Sequence, residues 1–294
     1  MSPAKARRAA SAGRTTQARP DAKAPGAARA KSGKEDPMLL AIDVGNTEVT
    51  LGLFEGRKLV RSFRLSSETR RTADETALAL AQAVPEAVKA KGVASVLASV
   101  VPPQTPLFVE AARRLTGRKP LVVTTAAVPW LPIDYRDPGA VGADRIANAV
   151  AVIDRKLAPA IVVDFGTATT FDVISKDGRY LGGVITPGVL TGAEQLVRRA
   201  ARLGAFELAA PPAVVGRSTE ESLQSGVLYG AAGEVDAIVR RIAAERRFRP
   251  NVIATGGLAT AIAPHTKSIR KVDPDLTLRG LRVIHERIES GKRG

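Results

Sequence analysis

A pattern of apolar and polar residues occurs twice along this chain, and that repetition narrows the fold more than any other feature. Residues 39–42, Leu-Leu-Ala-Ile, form an apolar run that ends in Asp43-Val44-Gly45-Asn46-Thr47. Val49, Leu51 and Leu53 then alternate with smaller or polar residues, Glu55-Gly56 marks a turn, and residues 59–65 alternate again. Period-two alternation broken by glycine turns predicts three successive strands. The same order returns at Ala160-Ile161-Val162-Val163, Asp164-Phe165-Gly166-Thr167, residues 170–174, the Lys176-Asp177-Gly178 turn and residues 180–185. Asp43 and Asp164 stand 121 residues apart, and Gly56 and Gly178 stand 122 apart. A near-constant offset of this kind marks an internal duplication.

Helical patterning follows each copy. Thr72, with Glu75 three residues later, makes a capping box that opens a helix through Leu78, Leu80 and Val84. Residues 94–101 read as a buried strand that Pro102-Pro103 ends. Further helices are predicted over 143–156, 192–203 and 219–246, then a strand over 251–255 that runs into Gly256-Gly257 and another helix. Strands alternating with helices belong to the α/β class. The expected architecture is two similar lobes, each built on a β-β-β-α-β-α unit and facing each other across a cleft, with residues 38–157 as the N-terminal lobe and 158–294 as the C-terminal lobe.

Residues 1–37 differ in kind. They hold nine bases against three acids, and no Leu, Ile, Val, Phe, Tyr or Trp. Without large apolar side chains, nothing offsets the entropy of ordering them, so they read as a disordered basic extension before a natural start at Met38. The whole chain carries a net charge of +15, contains no Cys, and has three Tyr and one Trp. Absent Cys excludes disulfide scaffolds, thiolate zinc sites and thiol nucleophiles, and fits a cytoplasmic protein. Scarce aromatics argue against base stacking on single strands, and no apolar run reaches the roughly 18 residues a membrane span needs.

An Asp-x-Gly turn at a strand end lets backbone N–H groups approach whatever sits above it, because glycine has no Cβ to obstruct them. Phosphate suits such a turn. Asn46 and Thr47 add donors, and Asp43 can position a hydrated Mg²⁺ that bridges phosphates. A single turn is equally a hairpin held by its Asp side chain, whereas two in register favour a shared ligand. The second copy brings the hydroxyls of Thr167, Thr169 and Thr170. The segment Ala254-Thr255-Gly256-Gly257-Leu258 would let an adenine or ribose lie against backbone, so the three elements together describe a nucleotide clamp. Gly142-Ala143-Asp144-Arg145 opens the 143–156 helix. Asp144 there is either a helix cap or a base accepting a substrate hydroxyl proton, with Arg145 beside it for an anionic group. The residues alone leave both readings open. His265 and His285 lie outside these motifs and read as surface residues.

These blocks resemble the type III pantothenate kinases, within the superfamily of actin, sugar kinases and Hsp70. The resemblance runs from about Met38 to Arg287 and rests on Asp43-Val44-Gly45-Asn46-Thr47, Arg70-Arg71-Thr72-Ala73-Asp74-Glu75, Ser99-Val100-Val101-Pro102-Pro103, Gly142-Ala143-Asp144-Arg145, residues 164–170 and Gly256-Gly257. It implies the actin-like, ribonuclease H-like fold and transfer of the ATP γ-phosphoryl group to pantothenate, the first step toward coenzyme A. It further implies that Asp43, Val44, Gly45, Asn46, Thr47, Glu48, Val49 and Thr50 bind ATP, with Thr167 from the other lobe. Asp144 would be the proton acceptor. Tyr135, Gly142, Ala143, Asp144 and Arg145 would hold pantothenate, and Thr219 would close the pocket from the partner subunit of a homodimer. Asp164 would hold a monovalent cation, K⁺ or NH₄⁺, and Asp43 the Mg²⁺. Glu48 is an acid where a neutral residue is expected, and compact family members lack the 37-residue extension. Neither a membrane nor a nucleic acid is an expected partner. The alternatives are a nucleotide-binding regulatory or accessory protein of the same fold, using the basic extension on DNA, and a kinase for another small hydroxylated substrate.

Overall fold

The computed structural model describes residues 37–67, 71–89, 92–200, 204 and 206–291. The basic extension up to residue 36, Arg70, and the predicted end of the 192–203 helix lie outside the described residues.

Three antiparallel strands open the fold as the alternation predicts: β1 (Met38–Val44), β2 (Glu48–Glu55) and β3 (Lys58–Ser66). Helices α1 (Ala73–Ala83) and α2 (Pro85–Lys89) lead to β4 (Ala94–Ser99), then α3 (Thr105–Thr116), β5 (Leu121–Val122) and α4 (Ala143–Asp154). The second copy comprises β6 (Ala160–Phe165), β7 (Ala168–Ile174), β8 (Tyr180–Pro187), α5 (Val189–Arg199), α6 (Thr219–Arg246), β9 (Asn251–Thr255), α7 (Ala259–Ile262), β10 (Lys271–Val272) and α8 (Leu276–Gly291). Among the described residues the sheet orders are β3-β2-β1-β4-β5 and β10-β9-β6-β7-β8. In each, the first three strands pair antiparallel, and the fourth and fifth run parallel to the first. The duplication read from sequence is therefore a duplication of topology. Its offset follows turn length: the first turn is one residue shorter in the second copy, Gly166 and Thr167 against Gly45 to Thr47, and the second is longer, residues 175–179 against Gly56 and Arg57.

Local signals explain the helices. The capping box of α1 is present, with the Thr72 hydroxyl accepting from the Glu75 N–H and the Glu75 carboxylate accepting from the Thr72 N–H at 2.7 Å. Helix α3 was not marked by periodicity, because Pro102, Pro103 and Pro106 break up its start, yet Phe108, Ala111 and Ala112 bury one face. Helix α5 begins three residues earlier than expected: Gly188 caps it with extended backbone directly after β8. Helix α4 stops at Asp154 rather than Lys156, whose φ of 55° is left-handed.

Alternation along the strands sorts the core. Leu40, Ile42, Leu51 and Leu97 pack with Leu80, Phe108 and Ala111 on the outer face of the first sheet. On the outer face of the second, Ile161, Val163 and Phe171 pack with Leu228, Val235 and Val239 of α6. The intervening residues, Leu39, Ala41 and Phe54 from one sheet and Ala160, Val162 and Ile253 from the other, share a third cluster with Ile146 and Val150 of α4 and Leu278, Leu281 and Ile284 of α8. Helices α4 and α8 thus form a middle layer between the sheets. They touch most closely at Gly280, where a Cβ would overlap the Ala147 carbonyl. Gly280→Ala is expected to lower stability by about 1–3 kcal/mol, the usual cost of overpacking, read as a fall in thermal midpoint. An unchanged midpoint would mean that the two helices can separate freely. Among the described residues no helix is long and apolar enough to cross a membrane.

Candidate active site

Asp43 and Asp164 each stand near the end of the first strand of a copy. Their side chains share a face with Ala41 and Val162, two residues earlier, and so look toward the middle layer. The turns beyond them are closed by backbone: the Gly45 N–H donates to the Glu48 carbonyl at 3.0 Å, and the Gly166 N–H to the Ala168 carbonyl at 3.1 Å. The two turns meet. Thr47 Oγ1 and Thr167 Oγ1 lie 2.8 Å apart, within hydrogen-bond distance across 120 residues of sequence. The side chains of Val44 and Val49 point into the outer core and leave only their backbone to this space, while Asn46 is exposed and Thr50 half-buried.

The N-terminus of α4 enters the same region, near enough for the charge of Asp144 to act on both aspartates. Gly142 caps it, and a Cβ there would overlap Asp144 Oδ1. That carboxylate folds back to accept the Arg145 N–H at 2.8 Å, so one oxygen serves the helix start. The cap reading of Asp144 is therefore true in part, and it does not exclude the other. Burial raises the Asp144 pKa, opposed by the bond from the Arg145 N–H. Asp43 is pushed well above the usual carboxylate range, by burial first and then by the charges of Asp144, Asp164 and Glu48. Asp164 is pushed up to about 7, chiefly by burial and next by Asp144, against the stabilising bond from Asn148. Carboxylates that repel one another in a desolvated space are typical of sites built for a cation or a proton transfer. Among the described residues, no three His, Asp or Glu side chains form an all-protein metal cage. That donor set suits Mg²⁺, which is commonly held by one or two carboxylates plus substrate phosphates.

Asp164 is held from behind. Asn148 Nδ2 of α4 donates to its Oδ2 at 3.2 Å, and Thr277 Oγ1 of α8 donates to Asn148 Oδ1 at 2.8 Å. Gly256, with φ of +87°, closes over it. A Cβ at Gly256 would lie 2.5 Å from Asp164 Oδ1 and 2.6 Å from the Phe165 carbonyl, so only glycine fits. The third predicted element is thereby brought against the second.

Arg145 turns the other way, into β7 and β8. Its Nε donates to Asp172 Oδ1 at 2.7 Å, and the Tyr180 hydroxyl donates to the same oxygen at 3.0 Å. Burial lifts Asp172 to about 6 despite the arginine beside it. Gly183 makes room, since its Cβ would lie 2.5 Å from Arg145 Nη2, and that Nη2 is buried without a hydrogen-bond partner. The half-exposed Tyr135 ring rests on Gly182, at 3.5 Å from where a Cβ would be. Tyr135 and Arg145 are thus brought to neighbouring glycines of one strand. Asp172 and Tyr180 were missed from sequence, although an acid within the run Phe171-Asp172-Val173-Ile174 is a signal.

Two of the expected site residues remain. Thr219 lies in the first turn of α6, exposed, beside the cap residue Ser218. Glu48 is turned to Arg64, with Oε1 at 3.1 Å from Nε.

The chain is similar to known proteins in sequence and in fold. A family model described as type III pantothenate kinase matches residues 39–241. A type III pantothenate kinase of Moorella thermoacetica is 47% identical over 252 residues, covering 85% of this chain and 99% of that protein. Those of Anaeromyxobacter sp. (strain K) and Geobacter sulfurreducens are 48% and 44% identical, each again over 85% of this chain and 99% of the relative. Among solved structures, a Baf family transcriptional activator from Campylobacter jejuni superposes with a TM-score of 0.53 at 19% identity, covering 85% of this chain and 99% of that one. An activator of 2-hydroxyisocaproyl-CoA dehydratase from Clostridium difficile, with bound ADPNP, gives a TM-score of 0.53 at 14% identity over 87% and 98%. At such identity these two structures speak to the fold alone.

Proposed function

Given that the chain belongs to the type III pantothenate kinase family, and so phosphorylates pantothenate with ATP in coenzyme A biosynthesis, we propose that Asp144 takes the proton from the substrate hydroxyl. The observation that carries this is the meeting of the two turns through Thr47 and Thr167, with Asp144 in the first turn of α4 near enough for its charge to act on the aspartate of each. Residues 43–50 and Thr167 hold the nucleotide, the backbone amides of the turns doing most of the work. Gly142, Ala143, Arg145 and Tyr135 hold pantothenate: the buried, unpartnered Nη2 of Arg145 is a donor waiting for an acceptor, and the carboxylate of the substrate supplies one. Phosphoryl transfer is catalysed chiefly by positioning and charge neutralisation, so Asp144 orients the hydroxyl and receives its proton while the rest of the site fixes the phosphate.

The desolvated, mutually repelling carboxylates fit cations. Asp43 would hold Mg²⁺ together with the phosphates, and Asp164 a monovalent cation, K⁺ or NH₄⁺; when bound, these neutralise phosphate charge. Thr219 would reach pantothenate in a second copy of the chain. Its exposure in α6, with Val214 and Val215 exposed at 67% and 81% nearby, supports a homodimer, and a cytoplasmic location belongs to the same reading. The segment 1–37 precedes the region that the relatives match and has no part in the chemistry. Deleting it is expected to leave kcat/KM unchanged, and a fall in that ratio would assign it a role.

The deciding assay is ADP release by the full chain with and without pantothenate, in Mg²⁺ with K⁺ and then with Na⁺ in its place. Pantothenate-dependent release that drops severalfold in Na⁺ is expected. ADP release indifferent to pantothenate would overturn the substrate, and equal rates in the two salts would remove the cation from Asp164.

A further inference from the structure

The cross-strand rows that start at the two repeated aspartates differ at their outer ends. Asp43 lies opposite Thr50, and Thr50 opposite Arg64. In the second copy Asp164 lies opposite Thr170, and Thr170 opposite Ile185. Residues directly opposite one another share a sheet face, so both rows look the way the aspartates look. Arg64 and Ile185 are equivalent positions of the duplication, yet one carries a guanidinium and the other an apolar side chain that is 62% exposed. Arg64 leans over the cleft side of its sheet while its side chain stays 40% exposed. Its Nε is 3.1 Å from Glu48 Oε1 at the first phosphate turn, and a Cβ on Gly257 would lie 3.2 Å from its Nη1. Its positive charge is felt by Asp164. One guanidinium thus lies against the first and third elements that line the nucleotide cleft, and its charge reaches the aspartate of the second.

We propose that Arg64 is a polyphosphate-binding residue of the ATP cleft, held by Glu48 in the free enzyme and handed to phosphate oxygens when the nucleotide enters. This rests on the reading of the cleft given above. A planar guanidinium fork matches phosphate oxygens and gives strong charge-assisted bonds. Its resting partner is easily given up, because a carboxylate–arginine pair with both side chains about 40% exposed is weak. The exchange also accounts for an acid beside the phosphate turn: Glu48 positions the arginine before ATP arrives.

The test titrates the full-length protein with ATP, ADP and adenosine in Mg²⁺ without pantothenate. Arg64→Gln is expected to weaken ATP and ADP binding by roughly tenfold or more, as loss of a charged hydrogen bond does, and to leave adenosine unchanged. Arg64→Lys should recover part of the loss, and Glu48→Gln should tighten ATP severalfold. ATP affinity equal to wild type in Arg64→Gln, or equal losses for ATP and adenosine, would overturn the assignment. Unchanged or weaker ATP binding in Glu48→Gln would overturn the exchange. A wild-type protein that binds no ATP would instead sink the cleft reading, along with everything built on it.

Discussion

Asp144→Asn is expected to lower kcat by about 10² to 10⁴, the range over which positioned proton transfer contributes to catalysis. The asparagine keeps an amide oxygen that can accept the Arg145 N–H, so the start of α4 survives and the fold with it. What disappears is the basic oxygen. A second effect follows from electrostatics: Asp144 raises the pKa of both Asp43 and Asp164, so its neutralisation lets those carboxylates ionise more readily. ATP affinity should be kept or improved while turnover collapses, a split that mere unfolding cannot produce. Steady-state kinetics with a nucleotide titration checks it, and wild-type turnover would remove the base from Asp144.

Asp172→Ala is expected to cost about 3–5 kcal/mol of stability, the usual consequence of leaving one member of a buried ion pair alone. Asp172 is fully buried, and the Arg145 side chain is only 10% exposed. Pantothenate KM should rise as well, because the guanidinium loses the anchor that aims it. Tyr180→Phe removes a single bond to the same oxygen and should cost about 1 kcal/mol. The pH dependence has an unusual sign. Since burial lifts Asp172 to about 6, above its unfolded value, the native state holds more protons than the unfolded chain between about pH 4 and 6. This group therefore makes the protein less stable as pH rises through that window. Arg145 is fully paired only above it. Kcat/KM for pantothenate should fall below about pH 6 in the wild type, and Asp172→Asn should lose that limb; a limb that persists in the variant would assign it to another group.

Much of this was legible in the chain because the fold is written twice. Alternation at 39–65 and again at 160–185 marked the strands, and the Asp-x-Gly turns marked the cleft. Side-chain reach was not legible. Arg64 lies twenty-one residues from Asp43 in sequence, and only strand register puts them in one row. Asp172 and Tyr180 pair through β7 and β8, at a place where a bulge makes register unreadable from spacing. Helix α3 was hidden by prolines and held by tertiary packing. Thr219 was expected to serve a partner subunit, and within one chain it lies exposed in the first turn of α6.

The middle layer has a consequence for biosynthesis. Leu39, Ala41 and Phe54 are among the first core residues translated, yet they share their cluster with Leu278, Leu281 and Ile284, among the last. A nascent chain stalled before residue 276 has only α4 against the inner face of its first sheet and lacks the half of the cover that α8 supplies, however complete the strands are. Release from the ribosome, rather than emergence of the first half, is thus the moment at which this sheet is sealed, and until then it is a surface for chaperones to shield.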